Sequence, residues 1–172
     1  MAPPTVQIFE SEEQVTVALA VYILHLSAQF IAEKGSFSVV LSSGPLIDTL
    51  RKLTEPPYNS SINWSKWSIF YMDERVVPLN NSYSNYKQTY DGFLSKSNVI
   101  LLPPPQRITF TFPLINSASE IAIVVTGEDL ADAVKVALWK HANDYYPLPV
   151  QKVAPEGNLT WFLDKEATSL LN

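Results

Sequence analysis

Five residues, Phe37-Ser38-Val39-Val40-Leu41, run straight into Ser42-Ser43-Gly44-Pro45, and this junction limits the possible folds more than any other part of the chain. The first five are apolar and β-branched enough to read as a short strand. Ser42-Ser43-Gly44 makes a tight turn, and Pro45 has the fixed φ that suits the first position of a helix. Leu46, Ile47, Leu50 and Leu53 then give that helix an apolar face. Strand, tight turn and helix in succession form the building block of α/β folds.

The rest of the chain repeats that alternation. Ser11-Glu12-Glu13-Gln14 has the form of a capping box, with Ser11 as cap and Gln14 reaching back. Val15, Leu19, Tyr22, Ile23, Leu26 and Phe30 follow at helical spacing until Gly35 offers a stop. Residues 55–60 are loop by composition. Residues 67–72 predict a second buried strand, which delivers Asp73-Glu74-Arg75 at its C-terminal end. A polar loop with Asn80, Asn81, Ser82 and Ser84 leads into a helix predicted over 85–94. Residues 108–112 alternate apolar side chains with Thr, a strand signal, and residues 121–125 form a fully apolar strand. Thr126-Gly127 then opens a helix with Leu130, Val134, Ala137 and Leu138 on one face. Pro147 and Pro149 mark a linker, and residues 163–171 predict a terminal helix. One junction is odd: Val99-Ile100-Leu101-Leu102 meets Pro103-Pro104-Pro105 with almost no room for another element. The whole reads as an α/β chain with a largely parallel sheet, and 172 residues fit a single domain over 1–172.

Composition narrows the chemistry. Twelve Lys+Arg against 17 Asp+Glu give a net charge of -5, a poor basis for nucleic-acid binding, which needs clustered cations. Without cysteine there is no disulfide, thiol nucleophile or cysteine zinc site, and His25 and His141 are too few for a histidine-built metal site. His25 sits within an apolar helix and reads as structural; His141, beside Lys140, suits a helix end. The apolar stretch 15–31 is broken by Thr16, His25, Ser27 and Gln29, so it predicts a buried helix rather than a membrane span. Met1-Ala2-Pro3-Pro4-Thr5-Val6-Gln7 lacks the basic-then-apolar pattern of a signal peptide, and the expected location is the cytosol.

Asp73-Glu74-Arg75 is the strongest site candidate, because open α/β sheets bind ligands at the C-terminal ends of their strands. The plainer alternative is a solvated loop with an internal ion pair. Arg75 offers a planar fork suited to phosphate oxygens, and Arg107 is a second such candidate. Backbone N–H groups of the Ser42-Ser43-Gly44 turn could hold an anion. No Gly-x-Ser-x-Gly elbow is present. The residues alone specify an α/β domain suited to a small anion.

Taken in order, the landmarks resemble the 6-phosphogluconolactonase family, particularly its plant members. They are Leu41-Ser42-Ser43-Gly44 with Leu50-Arg51-Lys52-Leu53; Trp64 and Trp67; Asp73-Glu74-Arg75-Val76-Val77-Pro78; and Ser84-Asn85-Tyr86. Pro104-Pro105-Gln106-Arg107-Ile108-Thr109, Val124-Val125-Thr126-Gly127 and the run from Pro155-Glu156-Gly157 to Leu163-Asp164 complete the set. The resemblance implies a Rossmann-like, mostly parallel sheet flanked by helices. It also implies hydrolysis of 6-phospho-glucono-δ-lactone to 6-phosphogluconate in the oxidative pentose phosphate pathway, without metal or organic cofactor. By residue match, Ser42 and Gly44 fall on the family's glycine-rich turn, Asp73, Glu74 and Arg75 on its Asp-Glu-Arg motif, and Arg107 on its Arg-Ile-Thr motif. Ser42, Gly44, Arg75 and Arg107 are thereby expected to bind the sugar phosphate.

The departures from the family pattern fall around that site. Family members carry a long central segment before the Arg-Ile-Thr strand, with a Gly-x-x-Gly-His motif whose histidine is the expected general base. Here Ile100-Leu101-Leu102-Pro103 occupies the junction, which implies an internal deletion near 99–107 that removes a strand and its crossover. The usual Ser-Gly-Gly-Ser turn is Ser42-Ser43-Gly44-Pro45, and Leu102 and Leu130 stand where the family has lysines. Asp73 and Glu74 are the carboxylates left to act as base. Two readings follow: a lactonase that works without the usual histidine, or a truncated, catalytically inactive paralogue or splice product that retains at most weak sugar-phosphate binding.

Overall fold

The computed structural model describes residues 3–42, 44–96, 109–138 and 148–171. Its strands are β1 (Thr5–Phe9), β2 (Phe37–Leu41), β3 (Trp67–Tyr71), β4 (Glu120–Val125) and β5 (Asn158–Asp164). Its α-helices are α1 (Glu12–Lys34), α2 (Pro45–Leu50), α3 (Tyr58–Ser61), α4 (Asn85–Gly92), α5 (Phe112–Asn116) and α6 (Ala131–Leu138). They fall into two compact units, Met1–Val15 with Thr111–Asn172, and Thr16–Phe110.

In the first unit a three-stranded sheet has the order β1-β5-β4, and both pairings are parallel. The central β5 buries Thr160 to Asp164 without alternation, as expected of a strand covered on both faces. Trp161 and Leu163 join Val134 of α6 and Ala167 in the core of this unit, while Phe9 stacks on Phe162. Gly157 makes the entry to β5 possible: a Cβ there would lie 1.9 Å from the Ser119 carbonyl oxygen.

The second unit contains the parallel pair β2-β3 in the register Phe37↔Trp67 to Leu41↔Tyr71. Phe37, Leu41, Trp67 and Tyr71 are buried on one face of the pair. Trp67 packs edge-on to Phe37 at 4.8 Å and contacts Trp64 at 4.9 Å, and Trp64 in turn meets Phe93. On the opposite face the cross-strand neighbours Val40 and Phe70 are 39% and 49% exposed. By length and composition α1 is apolar enough to cross a membrane. Yet it buries Leu19, Ala20, Ile23 and Ser27, and the Ser27 hydroxyl accepts a 2.8 Å bond from the Trp67 indole N–H. That stripe belongs to a core helix.

The strand–turn–helix at β2-α2, the strand at β3, the apolar β4 and the helix before Gly35 lie where the sequence places them, except that α2 stops at Leu50 and Leu53 falls in the 3₁₀ turn Arg51–Thr54. Gly44 takes φ +80, which explains a glycine between strand and helix. The capping box forms with one change, since the Gln14 side chain accepts from the Glu10 N–H rather than from that of Ser11.

Other expectations need correction. The helix predicted over 85–94 ends at Gly92, and a 3₁₀ turn follows over Leu94–Lys96. Loop 55–60 gives way to the short α3 at Tyr58. Of the strand predicted over 108–112, Ile108 lies outside the described residues. Phe110 makes a single backbone bond to Met72, and Phe112 starts α5 because Pro113 favours a helix's first turn. The terminal helix predicted over 163–171 is not formed: Leu163 belongs to β5, and Asp164 then caps a series of turns. His25 is exposed on α1 rather than packed among its apolar residues, and Leu130 is 47% exposed in the 3₁₀ turn Glu128–Leu130. His141 and the junction 99–107 lie outside the described residues.

Candidate functional site at the C-terminal end of β3

β3 ends at Tyr71, and Met72 continues its line with an N–H bond to the Leu41 carbonyl. The chain then turns through Asp73-Glu74-Arg75, so these residues emerge at the C-terminal edge of the β2-β3 pair. The Ser42 and Gly44 turn leaves the same edge, because β2 and β3 run parallel. The structure therefore brings Ser42, Gly44, Asp73, Glu74 and Arg75 to one end of one unit. Ser43 and Arg107 lie outside the described residues.

Glu74 differs from its neighbours. It is 8% exposed, and its carboxylate accepts bonds from four groups. Oε1 takes the Arg75 N–H at 2.7 Å and the Asn85 N–H at 2.6 Å; Oε2 takes the Tyr86 N–H at 2.7 Å and the Ser84 hydroxyl at 3.3 Å. Ser84 also caps α4 by accepting from the Lys87 N–H. The free N–H groups of a helix's first turn attract negative charge, and here a side chain of the protein fills that position. Glu74 thus fastens the loop to α4, and the α4 N-terminus has no spare amide in that turn for a ligand anion.

Asp73 is held differently. It is half-buried, and Asn85 Nδ2 donates both to its backbone carbonyl at 2.7 Å and to its Oδ1 at 3.0 Å. Asn85 itself is fully buried. Beneath the loop, burial pushes the Tyr71 phenol up to about 12; the nearby Thr89 hydroxyl works the other way, and the Glu74 carboxylate and Tyr86 add to the rise. The sequence pointed to Asp73, Glu74 and Arg75 but assigned Ser84 and Asn85 no task. Ser84 before an apolar-patterned helix was the available cap signal.

The first unit also has a recess at the C-terminal edge of its sheet, lined by Glu10, Ser11, Glu12, Glu13, Thr126, Gly127, Asp164 and Glu166. Asp164 is 2% exposed and accepts from the Gly127 and Ala167 N–H groups. Lys165 pairs with Glu10 at 2.7 Å, but acids dominate the lining, which disfavours a phosphate. Among the described residues no group of three or more His, Cys, Asp or Glu is arranged to hold a metal ion.

Comparison with known proteins places the chain in a family. The sequence model of the glucosamine-6-phosphate isomerases/6-phosphogluconolactonase family matches residues 10–102 and 97–161. The chain is 37% identical to a probable chloroplastic 6-phosphogluconolactonase 4 of Oryza sativa over 247 aligned positions, covering 96% of this chain and 76% of that protein. It is 35% identical to the rice probable 6-phosphogluconolactonase 2, covering 97% and 90% respectively. Its fold matches a solved 6-phosphogluconolactonase from Trypanosoma brucei with a TM-score of 0.81 at 15% identity, covering all of both chains (100% and 100%). With the family match spanning most of its length, the chain belongs to the glucosamine-6-phosphate isomerase/6-phosphogluconolactonase family.

Proposed function

We propose that the chain hydrolyses 6-phospho-glucono-δ-lactone to 6-phosphogluconate. The observation that carries this reading is the division of labour at the end of β3. Glu74 is consumed in fastening the loop, while Asp73 keeps one carboxylate oxygen uncommitted among the described residues and Arg75 stands beside it at the sheet edge where α/β folds bind ligands. Arg75, with Arg107, anchors the phosphate through charge-assisted bonds. Asp73 takes a proton from water as the water oxygen adds to the lactone carbonyl. The tetrahedral centre then collapses, the C–O bond to the ring oxygen breaks, and Asp73 returns its proton to that oxygen, which forms the hydroxy acid and restores the carboxylate. Backbone N–H groups of Ser42 and Gly44, which lie at the same sheet edge, are the donors we assign to the developing oxyanion.

The same reading takes the chain as one family domain over residues 1–172 with an internal deletion near 99–107. Two facts support it: the rice alignment runs over 247 positions although the chain has 172 residues, and the matched family segments meet at 97–102. The compartment we assign is the cytosol; the rice relative at 35% identity has no compartment in its name, while the one at 37% is called chloroplastic.

The test is hydrolysis of 6-phosphogluconolactone measured against its spontaneous rate. A rate above buffer that falls about 10²-fold in Asp73→Asn supports the reading. A rate equal to buffer assigns the chain to the inactive, weakly binding alternative.

A further inference from the structure

The geometry points to Asn85 as a positioning residue that fixes the Asp73 carboxylate through Oδ1 and turns its other oxygen, Oδ2, toward the ligand. The inference rests on the reading of Asp73 as the proton acceptor.

Three observations carry it. First, the Asn85 amide has one workable orientation. Its Nδ2 donates to two acceptors on Asp73, the main-chain oxygen at 2.7 Å and Oδ1 at 3.0 Å. A flipped amide would set its own oxygen against both, so the donor must face Asp73. Second, this orientation has a cost. Asn85 is 0% exposed, and its Oδ1 has no hydrogen-bond partner among the described residues. Buried acceptors are nearly always satisfied, and a residue selected only to begin a helix would be satisfied as well. An amide held with one end unsatisfied is explained by what its other end does. Third, Asn85 cannot swing away. Its own N–H is bonded to Glu74 Oε1 at 2.6 Å, the next N–H to Glu74 Oε2, and its carbonyl accepts from the Thr89 hydroxyl at 2.7 Å. Glu74 therefore anchors the residue that orients Asp73. The result is a carboxylate with one oxygen committed and, among the described residues, no bond to the other.

The experiment compares the wild-type chain with Asp73→Asn, Asn85→Ala, Asn85→Ser and the Asp73→Asn/Asn85→Ala double variant in hydrolysis of 6-phosphogluconolactone. Misplacing a reacting group by about 1 Å can cost up to about 10²-fold, so Asn85→Ala is expected to lower kcat by about 10-fold or more. KM should stay within about twofold because Arg75 is untouched. Asn85→Ser, which keeps a donor, should recover part of the loss, and it carries the test if Asn85→Ala does not fold. In the Asp73→Asn background, removing Asn85 should cost nothing further. An equal fractional loss in both backgrounds, or a loss confined to KM, would overturn the inference. If the wild-type rate equals buffer, the hydrolase reading fails by itself. The Asp73 side-chain carboxylate is then followed by carbon NMR in the folded variants: a shifted signal in Asn85→Ala that Asn85→Ser partly restores supports the inference, and an unchanged signal overturns it.

Discussion

Each unit ends its parallel strands on a buried carboxylate, Glu74 after β3 and Asp164 at the end of β5, yet the charges around the two edges differ. Both carboxylates tie down loops through backbone N–H groups, Glu74 from Arg75, Asn85 and Tyr86, and Asp164 from Gly127 and Ala167. What surrounds them differs. Beside Glu74 stands Arg75, whereas the recess around Asp164 is also lined by Glu10, Glu12, Glu13 and Glu166. A buried acid at a strand end is therefore no sign of catalysis by itself. In both units it is architecture, and the neighbouring charges decide what can bind.

Replacing the two carboxylates should have the largest effects. Glu74→Ala leaves three backbone N–H groups and the Ser84 hydroxyl without their acceptor, and should destabilise the chain by about 3 kcal/mol or more in denaturant unfolding. Asp164→Ala removes an acceptor from only two N–H groups and should cost less, about 2 kcal/mol, with phosphate-ligand affinity unchanged in the folded protein. If Asp164→Ala weakened binding as much as Arg75→Ala, the contrast between the edges would collapse.

Arg75→Ala comes next. Losing a charge-assisted contact of about 1.5–3 kcal/mol should weaken 6-phosphogluconate binding by about 10- to 100-fold, and the wild-type affinity should fall with added salt. Calorimetric titration at two salt concentrations measures both.

At neutral pH the remaining effect vanishes, because it is confined to alkaline conditions. Burial raises the Tyr71 phenol from 10.0 to about 12, so the unfolded chain releases this proton before the folded one does. The folded state then binds more protons than the unfolded state, and stability falls with rising pH. The loss is absent below pH 10 and grows to about 2–3 kcal/mol by pH 12. Tyr71→Phe should remove that part of the decline, as measured by unfolding at pH 9 and pH 11.5.

The contrast between units also explains what the sequence disclosed. β2, β3 and β4 are apolar runs bounded by turns, and their ends could be read directly. β1 escaped because its apolar residues point the wrong way for a core signal: Val6 and Ile8 are 41% and 52% exposed on an edge strand. β5 escaped because Leu163, Leu170 and Leu171 suggested a helix, while Asp164 ends the strand by capping the turn to Ala167. At the site, Asp73-Glu74-Arg75 was legible from its place after a strand. The separate tasks of Asp73 and Glu74 were not, because their partners lie ten to twelve residues further on at the start of α4. Local pattern locates a motif; long-range hydrogen bonds decide which of its members remains available.

The sugar phosphate is expected to bind at the end of β3 and not at the acid-lined edge of the other sheet. Backbone amide NMR during titration with 6-phosphogluconate tests it most directly. Saturable shifts should concentrate at Ser42, Gly44 and residues 73–86, and they should vanish in Arg75→Ala. Shifts concentrated at Thr126, Gly127 and residues 164–167, or the same shifts surviving in Arg75→Ala, would contradict it.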